Sequence, residues 1–223
     1  KGKAGKDLRP PLNKLTKLGY RAELHKPPLT DKLIGELKSI SDEWLTMMHG
    51  TEKKFTLGWF DYEYIKNCPV MAVHGPEGDI TAFANIIPIY SCNQSTIDLM
   101  RRKKKIENGT MDFLFISLLE WARENGNTGF SLGLCPFTGI EDESNDPVIE
   151  KALKYIYENI NQFFNFKGIH TFKEKFQPEW SPRYIIYPSQ ALLPSVCLSL
   201  VQAIEGKNFI RDHLKDLYKK SEG

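Results

Sequence analysis

Residues 96–121 read TIDLMRRKKKIENGTMDFLFISLLEW, and the fold class turns on how this stretch is divided. Thr96, Ile97, Leu99 and Met100 are strand formers, and a two-residue side-chain period puts Asp98 and Arg101 on opposite faces or at the strand end. A run of cations, Arg101, Arg102, Lys103, Lys104 and Lys105, then interrupts the apolar pattern. Asn108-Gly109 signals a turn, Thr110 is expected to cap a helix, and Asp112 stands where a carboxylate complements the positive end of the helix dipole. The helix carries Met111, Phe113, Leu114, Phe115, Ile116, Leu118, Leu119, Trp121 and Ala122. Being apolar nearly all round, it is expected to be buried on more than one side.

Working outward, the chain has 223 residues, 41% hydrophobic and 26% charged, which suffices for a substantial core in one domain with appendages. We expect a basic arm and connecting helix over 1–29, the main domain over 30–190 and a helical tail over 191–223. Thirty basic against 28 acidic side chains leave a net charge of +2, so attraction to a polyanion must come from local patches. Cys68, Cys92, Cys135 and Cys197 form no Cys-x-x-Cys pair and read as reduced, structural thiols. His25, His49, His74, His170 and His213 are isolated from one another and from the cysteines, so no metal-ligand spacing and no Cys–His nucleophile is seen. No metal and no cofactor are expected. Serines lack the G-x-S-x-G elbow. No run approaches the roughly eighteen apolar residues of a membrane span, and the first residues carry no apolar signal segment.

From the start, Leu8, Leu12, Leu15 and Leu18 predict a short helix ended by Gly19, and Arg21–Leu24 a strand. Thr30 should cap a helix running to about Met48, with Leu33, Leu37, Ile40, Trp44, Leu45 and Met48 inward. Strands are predicted over Phe55–Phe60 and Pro69–His74, separated by a polar stretch with Asp61, Glu63 and Lys66, then over Ile80–Tyr90 after a Gly75–Gly78 turn. Gly129–Leu134 is a further strand, and a helix follows from Pro147 to about Ile160. An aromatic and basic segment leads to a predicted strand over Arg183–Tyr187, and Ala191–Ile204 is expected to pack on the core or on a partner domain. The element order is helix, antiparallel strands, buried helix, strand, helix, strand. It argues for a mixed α+β, mostly antiparallel sheet flanked by helices, the Gcn5-related acyltransferase-like (GNAT) fold, and against a doubly wound sheet. The loop RRKKKIENG has one glycine, so the usual glycine-rich coenzyme A cradle is missing.

Ordered blocks carry a more specific resemblance. DLMRR with GTMDFLF, then LGLCP, FNFKG, FKEKFQPEW and PRYIIYP, preceded by SDEWL and FTLGWFD, resemble the soluble catalytic half of the bacterial phosphatidylglycerol lysyltransferases, the multiple peptide resistance factor family. The resemblance runs from about Gly2 to Pro188. It implies transfer of an aminoacyl group, lysine being the first candidate, from an aminoacyl-tRNA such as lysyl-tRNA to phosphatidylglycerol, which lowers the negative charge of the membrane and resists cationic antimicrobial peptides. It further implies a position at the cytoplasmic face of the bacterial membrane. The partners implied are an N-terminal acyltransferase-like domain and a membrane flippase domain. A binding module for tRNA or anionic lipid and a coenzyme A-dependent acetyltransferase are the alternatives.

An aminoacyl ester is already activated, so such an enzyme must orient an alcohol, accept its proton and stabilise an oxyanion. Asp98 is the first candidate for a base or an ammonium anchor, and Arg101 for a bidentate phosphate contact. Arg102, Lys103, Lys104 and Lys105 form a candidate tRNA or phosphate patch, and Asp112 reads first as a helix-terminus residue. Lys173, Lys175 and Arg183 lie among Phe172, Phe176, Trp180 and Tyr184, with Lys173 and Lys175 on one strand face. Basic groups framed by aromatics suit a lipid phosphate or a stacked tRNA end. Asn85, Asn165 and Glu43 are further polar candidates.

Overall fold

The computed structural model describes residues 8–48, 52, 58–135, 166–184, 186–192, 195–196, 199 and 202–203. The chain divides into two compact units: Lys1–Glu52, Leu57–Leu134 and Thr171–Pro178 make the first, and Lys53–Thr56, Cys135–His170 and Glu179–Gly223 the second. The sheet lies in the first.

Helix α1 (Arg9–Lys17) starts on the Pro10-Pro11 pair, whose fixed φ suits a first turn, and ends on Lys14 and Lys17, which favour the negative end of the dipole. Strand β1 (Arg21–His25) follows, then α2 (Asp31–Met47), capped as expected by Thr30, whose hydroxyl accepts the Leu33 N–H at 3.3 Å. The stretch read as polar linker holds a short helix, α3 (Tyr62–Lys66), because the Asp61 carboxylate accepts the Tyr64 N–H at 3.0 Å and caps it. Of the strand predicted over Phe55–Phe60, Phe55–Leu57 lie outside the described residues and Gly58–Phe60 are irregular.

Strands β2 (Val70–His74), β3 (Ile80–Ile89) and β4 (Gln94–Arg102) continue the antiparallel meander, and β5 (Gly129–Ser131) joins β4 in parallel, giving the order β1-β2-β3-β4-β5. Helix α4 (Thr110–Glu124) makes the crossover between the parallel pair. This is the mixed, mostly antiparallel GNAT-like arrangement that the element order implied. All of β2 is buried because helices cover both faces. On one face, Ile34, Leu37 and Ile40 of α2 pack with Val70, Ala72, Phe83 and Leu99; on the other, Phe113, Leu114 and Leu118 of α4 pack with Leu15, Met71, Ala82, Ala84 and Ile86.

One irregularity decides where side chains go. Ile86 pairs with Ile97 and Ala84 with Met100, so Asp98 and Leu99 together stand opposite Asn85. This β-bulge resets the two-residue period. Ile97 and Met100 face α4, while Leu99 joins the α2-side core. Asp98 meets Tyr64, which packs on that core, and Arg101 lies over the ring of Trp44 in α2. Asp98 and Arg101 therefore share one face, and the expectation of opposite faces fails because the extra residue restores parity between them.

At the basic turn the helix cap also differs from the expected one. Gly109, at φ +95°, is the N-cap of α4, and Thr110 is its first residue, with its hydroxyl donating to the Glu107 carbonyl at 2.6 Å. Beyond β5, helix α5 (Phe166–Glu174) contains Lys173, so Lys173 and Lys175 are not on a strand: Lys173 is in the last turn and Lys175 just past it. Among Arg183, Tyr184, Ile186 and Tyr187 none is in a strand, and in the tail Gln190–Leu192 form a 3-10 turn. The helix predicted from Pro147 to Ile160 lies outside the described residues.

Gly109 combines a left-handed backbone with a tight contact, since a Cβ there would meet Pro11 Cβ at 2.6 Å. Gly109→Ala is expected to lower unfolding free energy by at least about 1–2 kcal/mol, the usual cost of the left-handed region for an L-residue. Gly78→Ala, at φ +89° in open space, isolates the backbone contribution. Urea denaturation that finds Gly109→Ala no worse than Gly78→Ala would show that α1 gives way without cost.

Candidate functional site

The bulge is held by a buried amide. The Asn85 side-chain oxygen accepts the Leu99 N–H at 2.6 Å, and its amino group donates to the Tyr64 hydroxyl at 3.2 Å. Tyr64 in turn donates to Asp98 Oδ2 at 2.6 Å, and the Gly58 N–H donates to Asp98 Oδ1 at 2.7 Å. Four elements thus converge on one carboxylate: the loop before α3, α3 itself, β3 and β4. Burial first, and the hydrogen bond to Asp98 second, push the Tyr64 phenol far above its ordinary range, so it stays a donor. Cys68 lies beside this chain of bonds, and burial pushes its thiol up as well, which keeps it out of thiolate chemistry. Each Asp98 oxygen keeps lone-pair capacity for a further donor. The arrangement offers a partly exposed anion whose plane is set from both sides.

Arg101 is not turned to solvent. Its guanidinium sits 4.0 Å from the ring centre of Trp44 and pairs with Glu52 at 3.3 Å, and Glu52 also accepts from the buried Ser41 hydroxyl at 3.5 Å. Burial pulls the Arg101 pKa down, with Glu52 acting against it. Its Nε is buried without a hydrogen-bond partner among the described residues. Asp98 and Arg101 do not form an ion pair; each has its own partners.

The basic loop is partly engaged. Arg102 donates to the carbonyls of Lys103 and Lys104, Lys103 pairs with Asp79 at 2.8 Å, and Glu43 accepts the Lys104 N–H at 2.8 Å. Glu43 therefore pins the loop backbone. Lys104 and Lys105 are exposed and have no ion-pair partner among the described residues.

The second expected constellation separates. Lys173 is buried and donates to the carbonyls of Gly133 at 3.0 Å and Leu134 at 2.9 Å, so it holds the loop after β5 against α5. Lys175 pairs with Asp112 at 3.0 Å across to the first turn of α4, beside Phe172. Arg183 is exposed and bonds locally to Ser181 and the Pro182 carbonyl. Asn165 lies outside the described residues.

Reading by residue type overlooked Tyr64, Gly58, Trp44, Glu52 and Ser41. Gly58 carried a signal, being the glycine inside FTLGWFD; a Cβ there would fall 1.8 Å from Asp98 Oδ2. The histidines are not all isolated either: His25 and His74 approach to 3.4 Å across β1 and β2. Strand pairing joins what 49 residues of sequence separate.

The chain matches the family described as "Phosphatidylglycerol lysyltransferase, C-terminal" over residues 1–187. It is 37% identical over 207 residues to a protein named phosphatidylglycerol lysyltransferase in Bacillus subtilis (strain 168), and 32% identical to one in Staphylococcus xylosus, covering 93% of this chain and 24% of each relative. The solved structure of L-PGS from Bacillus licheniformis superimposes with a TM-score of 0.80 at 33% identity, covering 91% of this chain and 61% of that one. The chain thus spans about a quarter of the length of the curated relatives it matches.

A raised native pKa for Tyr64 means that stability falls as pH climbs above the ordinary phenol value of 10.0, where the unfolded side chain ionises and the native one does not. Tyr64→Phe should remove that part of the alkaline destabilisation. Spectrophotometric titration of Asp98→Asn should show one tyrosine ionising at lower pH than in the parent, and Gly58→Ala should reproduce the shift by dislodging the carboxylate. Unchanged titration in both variants would break the Gly58–Asp98–Tyr64 linkage.

Proposed function

We propose that this chain, which belongs to the phosphatidylglycerol lysyltransferase C-terminal family, is the catalytic acyltransferase module for moving a lysyl group from lysyl-tRNA to a glycerol hydroxyl of phosphatidylglycerol. The observation that carries this reading is the Asp98 carboxylate held between the Gly58 N–H and the Tyr64 hydroxyl. The reaction is an ester exchange. The glycerol oxygen attacks the ester carbonyl carbon, a tetrahedral oxyanion forms and collapses, the bond to the tRNA ribose oxygen breaks, and the proton lost by the lipid hydroxyl is balanced by the one the ribose gains.

Within that scheme Asp98 anchors an ammonium group of the aminoacyl substrate. A fixed anion with spare lone pairs sets the orientation of the ester, which is how binding converts into rate when the acyl group is already activated. Tyr64 and Asn85 are positioning residues that act through Asp98. Arg101, locked on Trp44 and Glu52, keeps β4 and α2 in register beside it; breaking a buried ion pair by removing one partner typically costs about 3–5 kcal/mol. Lys104 and Lys105 supply the charge for the tRNA backbone. No helix among the described residues is long and apolar enough to cross a membrane. In the proposed reaction the lipid is met at the membrane surface, on the cytoplasmic face where charged tRNA is available. The product carries a less negative headgroup, which repels cationic peptides.

Two measurements test this. With the chain joined to the remainder of its protein, Asp98→Asn should raise KM for lysyl-tRNA more than it lowers kcat; a collapse of kcat at unchanged KM would make Asp98 the base instead, and no labelled lipid from any aminoacyl-tRNA would favour a binding module. Lys104→Ala with Lys105→Ala should weaken tRNA binding and lessen its salt dependence by about 0.7–0.9 in log–log slope for each phosphate that the variant no longer neutralises. An unchanged slope removes the loop from the tRNA path.

A further inference from the structure

Glu23, His25 and His74 meet on β1 and β2, and among the described residues no hydrogen bond joins them to Gly58, Tyr64, Asn85 or Asp98. In the ladder His25 pairs with Val70 and His74 with Arg21, so the two backbones stand at opposite ends, and the imidazoles reach inward past the Glu23–Ala72 pair. Ala72 has too small a side chain to fill that space. The two Nε2 atoms lie 3.4 Å apart, and a Glu23 oxygen lies 3.8 Å from His74 Nε2. One ligand atom from each of the three residues falls within 4.8 Å of the other two.

We propose that Glu23, His25 and His74 form a binding site for one divalent transition-metal ion of the zinc class. The donor set is two imidazole nitrogens and one carboxylate, which suits zinc-like ions and gives hard cations such as Mg2+ too few oxygens. The spacing fits too. Bond lengths of about 2.0–2.1 Å in a tetrahedron put neighbouring ligand atoms about 3.4 Å apart, the separation of the two Nε2 atoms. As a neutral histidine–histidine hydrogen bond that distance is long, beyond the usual range of about 2.7–3.2 Å.

A second feature points the same way. His74 Nδ1 lies 3.0 Å from the Gly78 carbonyl, and the carbonyl can only accept, so the proton is on Nδ1 and the Nε2 lone pair is aimed at His25 and Glu23. A backbone carbonyl that fixes the tautomer of a histidine is the usual outer support of a metal ligand. His25 would ligate through Nε2 with its proton on Nδ1, on the side of Glu23 Oε1 at 4.0 Å. Glu36 of α2 also acts on His25, and Asp79 lies in the field of His74. Water would complete four ligands. The ion would tie the edge strand β1 to β2 and to the turn that contains Gly78.

Calorimetric titration of the metal-stripped chain with Zn2+ is expected to show one saturable site, with Mg2+ and Ca2+ giving none, and Zn2+ should raise the melting temperature. His25→Ala, His74→Ala and the exposed-site variant Glu23→Gln should each weaken binding by about 10–100-fold, and the double histidine variant should lose the melting shift. If the histidine variants fail to fold, Glu23→Gln and the visible d–d absorption of Co2+ bound to the parent chain still decide the matter. Absence of saturable Zn2+ binding, equal affinity in Glu23→Gln, or binding that survives the double histidine variant overturns the site.

Discussion

A single buried side-chain amide, Asn85, holds the part of the sheet on which the candidate site depends. The Leu99 N–H, left without a ladder partner where two residues of β4 oppose one of β3, would be costly in a dry core. Asn85 Oδ1 takes it, and the amide's other end reaches the Tyr64 hydroxyl, so the irregularity is satisfied and its polarity is passed outward to Asp98. Remove that bond and the strand has a reason to slip into regular pairing. Asp98 or Arg101 would then turn to the other face, because one residue of register reverses a strand's side chains.

Most of the surrounding structure reads as support for that bulge. Helix α2 brings Trp44 over Arg101, α3 brings Tyr64, and the loop before α3 brings Gly58 close enough that no side chain fits there. Helix α4 closes the opposite face with Phe113, Leu114 and Leu118, and starts at the glycine cap of the basic loop. The loop lacks the repeated glycines of a pyrophosphate cradle, and its one glycine serves the left-handed cap against Pro11. What it offers an external ligand is side-chain charge, at Lys104 and Lys105. Under the proposed function that charge meets the tRNA backbone.

Legibility followed the range of the interaction. Thr30 as a cap, α1, α2, the buried α4, the meander of β2, β3 and β4, and the mixed sheet could be read from periodicity and caps, since those signals are local. Asp98 was picked out by its place before the basic run, and Asp112 by the start of α4. The lysine pair was misplaced because an aromatic-basic alternation fits a strand and a helix end alike; α5 settled it, with Lys173 buried on two carbonyls. Nothing in DYEYIK marks Tyr64 as the partner of a residue 34 positions away. His25 and His74 looked solitary for the same reason.

Contiguous residues were enough to read α1, α2, α4, the strands of the meander and β5, together with the apolar faces, the charge of the loop before α4 and the family, because propensity, caps and ordered motif blocks are local properties. Long-range packing put Asp98 and Arg101 on one face, buried Arg101 on Trp44, made Lys173 a clamp, and brought two histidines and a glutamate together across the sheet edge. The physical reason is register. A one-residue bulge or a ladder offset leaves composition and periodicity almost unchanged, yet it changes which side chains meet, and it is set by packing and hydrogen-bond satisfaction between segments far apart in the chain.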